Sequence, residues 1–169
     1  MIFIIRHGSS KKSKRNIDEW SNIPLNSRGI NESRKLARWL SSNKNKYNKI
    51  YSSDIKRAMQ TASIISKELQ LKVKPLKQLR EFRINYKKSE KLVHMQNRIQ
   101  RLMLSRVFSI NQNNIIVTHK GIIREILKQN RQYKAPFKIK IEPGTLFIIT
   151  RNKKCKKIVI RTKRIHRRP

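Results

Sequence analysis

The chain has 169 residues, with 43 Lys and Arg against 9 Asp and Glu, which gives a formal net charge of +34. That length suits one domain, and a hydrophobic content of 37% set out in periodic blocks excludes wholesale disorder. No apolar run approaches the roughly 18 residues of a membrane helix, and residues 1–5 are too short for a secretory core, so the expected compartment is the cytoplasm.

The run Ile2-Phe3-Ile4-Ile5 is apolar on both faces, the pattern of a central strand in a covered sheet, and it ends on Arg6-His7-Gly8. Arg6 offers a planar fork of donors suited to phosphate oxygens, and His7 a neutral nitrogen nucleophile near neutral pH. Residues 9–24 form a polar loop too long for a mere connector, which makes Ser9 and Asn16 candidates for substrate contact or for ordinary turn roles. A helix is expected over 27–42 with Ile30, Leu36, Ala37 and Leu40 on one face, then a short strand over 49–52. The stripe of Ile55, Ala58, Met59, Ala62, Ile65 and Leu69 predicts a helix over 53–69 with Ser53 as its N-cap.

Residues 71–76 read as extended. Leu92, Met95, Ile99, Leu102 and Met103 predict a helix over about 89–108, the methionines as core filler. A second fully apolar strand, 114–118, runs into His119-Lys120-Gly121 and a helix carrying Ile122, Ile123, Ile126 and Leu127. The chain therefore twice sets a histidine at the carboxyl end of a buried strand, where open α/β sheets bind ligands. Residues 146–150 and 157–162 complete the pattern as an edge pair of strands. The expected fold class is α/β: a three-layer α/β/α sandwich with a mostly parallel sheet, one domain over 1–169, of which 151–169 is a basic C-terminal strand and tail. His94 and His166 belong to no constellation, and Cys155, the one cysteine, allows no intramolecular disulfide.

Five segments in order carry a resemblance. They are Arg6-His7-Gly8; Pro24-Leu25-Asn26-Ser27-Arg28-Gly29-Ile30-Asn31-Glu32-Ser33; Tyr51-Ser52-Ser53-Asp54-Ile55-Lys56-Arg57-Ala58-Met59-Gln60-Thr61-Ala62; Leu79-Arg80-Glu81; and Val117-Thr118-His119-Lys120-Gly121. Over about residues 2–150 the chain resembles the histidine phosphatase superfamily, the phosphoglycerate-mutase-like proteins. In the second segment it carries Asn, Glu and Ser where the family pattern has Thr, Gln and Ala.

The resemblance implies a catalytic pair, His7 as nucleophile and Glu81 as general acid, with Arg6, Arg57 and His119 holding the phosphoryl oxygens. His7 would attack phosphorus to give a transient phosphohistidine that water hydrolyses, its other ring nitrogen donating to a backbone carbonyl. Arg57 in the first turn of its helix and His119 just before another would gain from free backbone amides. Glu81 poses a difficulty: the many cations should depress its pKa, so its protonation is expected mainly in the substrate complex. No metal or cofactor is implied.

After Glu81 many relatives continue into an extended insertion over the active site, whereas here Phe82-Arg83-Ile84-Asn85-Tyr86-Lys87-Lys88 leads straight to the next helix. A mutase must shield its phosphohistidine and retain a bisphosphorylated intermediate. The missing lid therefore favours a phosphomonoester hydrolase over a mutase-type phosphotransferase, acting on a phosphorylated small molecule or a phosphoprotein. The charge has three competing explanations: drift from AT-rich coding DNA, affinity for polyanions such as RNA or acidic lipid, and steering of an anionic substrate. The second keeps open a catalytically weak scaffold or polyanion-binding member of the family.

Overall fold

The computed structural model describes residues 1–11, 20–43, 45–82, 92–130, 139–152 and 154–159. Strands β1 (Ile2–Arg6), β2 (Ile50–Ser52), β3 (Val73–Pro75), β4 (Ile115–Thr118), β5 (Thr145–Ile149) and β6 (Cys155–Val159) form a six-stranded sheet in the order β3-β2-β4-β1-β5-β6. The β1/β4, β2/β4 and β2/β3 pairs are parallel, and β5 runs antiparallel to both β1 and β6. Helices α1 (Ser27–Ser42), α2 (Lys56–Leu69), α3 (Leu92–Leu104) and α4 (Lys120–Gln129) cover it.

Period-two alternation along β1 divides the core. Phe3 and Ile5 face α1 and α2, packing with Leu36, Ala37, Leu40, Ala58, Ala62 and Ile65. Ile2 and Ile4 face α3 and α4, packing with Met95, Ile99, Ile122, Ile123 and Ile126. The expected three-layer sandwich is thus present, each fully buried Leu or Ile contributing about 1.5–3 kcal/mol.

Helix α1 has the bounds its periodicity predicts, because Asn26 accepts a hydrogen bond from the Gly29 amide at 2.8 Å and caps the first turn. Helix α2 corrects the expectation. It starts at Lys56 with Ile55 at the cap position, a side chain without an acceptor, while the Ser53 hydroxyl accepts from the Ile55 amide at 3.4 Å and lies against the His119 ring. Helix α3 ends at Leu104, since Ser105 accepts from the Val107 amide and turns Arg106–Phe108 into a separate 3₁₀ turn. Leu92 is exposed rather than packed; the buried stripe begins one turn later at Met95. The last strand begins at Cys155, not at residue 157, because the Thr150 amide closes on the Lys154 carbonyl and fixes the hairpin register. Strand β6 alone of that pair is an edge; β5 lies between it and β1. Residues 89–91 and 160–162, included in the expected helix and strand, lie outside the described residues, as do Asn16, His166 and the short link 83–88.

The sheet order matters for the site. β2, β4 and β1 are adjacent and parallel, so Ser53, His119 and His7, each just past a strand end, meet at the carboxyl end of the central strands. The backbone ties them together: the His7 amide donates to the Thr118 carbonyl at 3.0 Å, and the Ser53 amide to the Val117 carbonyl at 2.9 Å.

Candidate active site

Behind His7 the chain passes hard against the start of α1. A Cβ on Gly8 would lie 2.5 Å from the Gly29 carbonyl oxygen, and one on Gly29 would lie 1.8 Å from that of Ser9. Only glycines allow this crossing. It is fastened by Thr61, which accepts from the Gly8 amide at 3.1 Å. It is fastened again by the buried Glu32 carboxylate, which accepts from the Ser9 amide at 2.7 Å, the Ser9 hydroxyl at 3.0 Å and Arg28 Nε at 2.8 Å.

His7 is buried, 7% exposed. Its Nδ1 stands 2.7 Å from the Gly8 carbonyl oxygen, which can only accept, so Nδ1 carries the proton and Nε2 the lone pair. Arg57 Nε donates to that Nε2 at 3.2 Å. Burial, then the Arg57 charge, push the imidazole down to about 3, well below an ordinary histidine.

The ring of His119 lies 5.0 Å from that of His7, edge to face. It is fully buried; Nε2 meets the Ser53 hydroxyl at 2.9 Å and Nδ1 has no partner among the described residues. Burial and the neighbouring His7, Arg57 and Arg6 hold it neutral, well below the usual histidine range. Arg6 donates from Nη1 to the Ile141 carbonyl at 2.6 Å, while its buried Nε is likewise unpartnered among the described residues.

Glu81 closes the other side. Its carboxylate accepts from the Gly121 amide at 3.1 and 3.2 Å and from the Phe82 amide at 3.1 Å. A Cβ on Gly121 would lie 2.4 Å from Oε1, so glycine is what leaves room for the carboxylate at the start of α4. The expected depression by cations does not hold. Burial raises the Glu81 carboxyl above the ordinary range and outweighs the lowering by the two amides, Arg57 and Arg6. A site of buried imidazoles, guanidiniums and one carboxyl kept up by burial is suited to bind a tetrahedral oxyanion and to exchange a proton with it.

A model of the histidine phosphatase superfamily (branch 1) matches residues 2–86, which include Arg6, His7, Arg57 and Glu81. The chain belongs to the histidine phosphatase superfamily. His119 lies beyond the matched segment, and the fold brings it in. No curated protein matches the chain.

Solved histidine phosphatase structures share the phosphoglycerate-mutase-like architecture. A candidate alpha-ribazole-5'-P phosphatase of Escherichia coli K-12 is 19% identical at a TM-score of 0.73, covering 95% of this chain and 96% of its own. The mycobacterial glucosyl-3-phosphoglycerate phosphatase is 17% identical at 0.70, covering 86% and 87%. The protein histidine phosphatase SixA, complexed with tungstate, is 16% identical at 0.65, covering 94% of each. At these identities the likeness is one of fold.

Three residues at this histidine phosphatase site have no place in the sequence reading as site residues. Ser53 and Glu32 stood inside quoted motifs, and their motif positions were the available signal. Trp20 had none: its carbonyl accepts from Arg57 Nη1 at 2.9 Å and its ring lies 4.2 Å from the Arg57 guanidinium carbon, a cation–π contact. Ser9, a candidate substrate contact, spends both its donors on Glu32. Among the described residues no group of three or more His, Cys, Asp or Glu is placed to hold a metal ion, and no helix is long and apolar enough to cross a membrane.

Proposed function

We propose that the chain is a phosphomonoesterase that works through a phosphohistidine on His7. The observation that carries this reading is the state of His7: proton on Nδ1, lone pair on Nε2, and Arg57 the group at that lone pair. A phosphoryl group entering the site displaces the weak Arg57–His7 hydrogen bond, and the freed guanidinium fork turns to its oxygens. Nε2 then bonds to phosphorus as the ester P–O bond breaks. Glu81, whose carboxyl burial raises above the ordinary range, is the group placed to give a proton to the leaving alkoxide. In the second half the Glu81 carboxylate takes a proton from water as that water attacks phosphorus, and the P–N bond electrons return to Nε2. Arg6, Arg57 and His119 hold the non-bridging oxygens throughout, the role in which one lost donor costs about 10²–10³-fold. In this reading the groups named carry the chemistry without a metal, and the substrate class is a phosphorylated small molecule or phosphoprotein.

The test is a phosphomonoester panel, with sugar phosphates, nucleotides and phosphopeptides, run on wild type and His7→Ala with acid-labile phosphoenzyme trapped in parallel. Turnover and trapped phosphate, both lost in His7→Ala, are expected; absence of both in wild type overturns the reading. The +34 charge favours a second reading, a polyanion-binding member of the family. Tight RNA binding that weakens as salt is raised, without turnover of any phosphomonoester, is the result that selects it.

A further inference from the structure

The Ser53 hydroxyl has one hydrogen and two lone pairs. One lone pair receives the Ile55 amide at 3.4 Å, and Nε2 of His119 lies 2.9 Å away. No other acceptor for the hydroxyl hydrogen exists among the described residues, so Ser53 donates to Nε2 and the one proton of the neutral ring sits on Nδ1. That Nδ1 is buried and without a partner among the described residues, in a ring 5.0 Å from the ring of His7. A buried N–H left unpaired is destabilising, and a ligand oxygen between the two rings removes that cost.

We infer that Ser53 is a positioning residue that fixes the tautomer of His119 so that Nδ1–H donates to an oxygen of the bound phosphoryl group. The inference rests on the proposed phosphatase reading and assigns one donor within it. The opposite tautomer would turn a lone pair towards the anion, and His119 would then repel what Arg6 and Arg57 attract.

Nitrogen-15 NMR of the wild-type protein reads the tautomer without turnover. A pyrrole-type Nδ1 and pyridine-type Nε2 on His119 are expected, with the Nδ1 proton shifting when tungstate is added. A pyridine-type Nδ1, or no response of that proton to bound tungstate, overturns the inference. In Ser53→Ala the ring is expected to populate the Nε2–H form and tungstate affinity to fall at least about tenfold. Ser53→Thr, which keeps the hydroxyl, is expected to restore the wild-type nitrogen pattern. If Ser53→Ala fails to fold, the wild-type spectrum alone decides. Loss of the phosphatase reading would show as absent turnover with the tautomer intact, whereas loss of this inference shows in the tautomer itself.

Discussion

His7 is neutral because its charged form would be both desolvated and pressed by Arg57, and that has a consequence for stability. An unfolded histidine titrates near 6.5, and the folded one near about 3. With the folded value depressed, protons favour the unfolded chain, so the contribution is complete above 6.5 and is lost as pH falls towards 3. His119 is shifted the same way and adds to the effect. Chemical denaturation of wild type and His7→Asn across that window is expected to show a steeper loss in wild type; parallel slopes would refute the buried neutral imidazole. Glu81 gives a prediction of activity. Glu81→Gln cannot donate a proton, so kcat for alkyl phosphates should drop about 10²–10⁴-fold, while a nitrophenyl ester, whose leaving group needs no acid, should keep most of its rate. An equal loss on both esters would remove Glu81 from the acid role. At this scale sequence reads chemistry well when a residue type is rare. The two strand-end histidines and the arginines fitted a single use, but Ser53 did not. A serine ahead of a helical stripe has the same appearance whether it caps the helix or turns to a histidine at the end of the neighbouring strand, and only the sheet order separates the two.

The elements explain why the site holds its shape. Parallel β1, β4 and β2 bring three strand ends side by side, and two helix starts meet them at glycines. α4 seats Glu81 on the Gly121 amide, with no room for a Cβ. Gly121→Ala therefore separates folding from function: alanine suits a helix better than glycine by up to about 1 kcal/mol. The substituted protein is expected to fold with a melting temperature near or above wild type, while kcat falls with Glu81 displaced. If kcat is unchanged, the carboxylate does not need this seat. Asn26 is a second control point. Asn26→Ala removes the cap of α1 and should cost about 1 kcal/mol in denaturant unfolding, since the Gly29 amide loses its acceptor. Apolar periodicity made α1 legible because Asn26 caps it locally. The ends of α3 and β6 were set by a Ser105 turn and a Thr150–Lys154 hairpin, contacts that periodicity does not encode.

For the whole molecule the charge acts in two opposite directions, and that makes its role measurable. A net +34 repels itself, so added salt should raise the melting temperature by screening. The same field attracts a phosphate dianion. Near the site Lys120 is held below the usual lysine range by Arg124, by its burial and by Arg6, so positive charge is crowded at the start of α4 beside Glu81. Raising ionic strength from about 0.01 M to about 0.15 M shortens the screening length from about 30 Å to about 8 Å. Steering predicts that kcat/KM for a dianionic ester falls several-fold over that range while kcat holds, because salt slows encounter and leaves the contacts of the buried His7 and His119 untouched. A parallel fall for RNA binding, with kcat/KM flat, would assign the charge to polyanion affinity instead. A rising melting temperature with both flat would leave the charge as compositional drift, a cost in stability with no return in encounter rate.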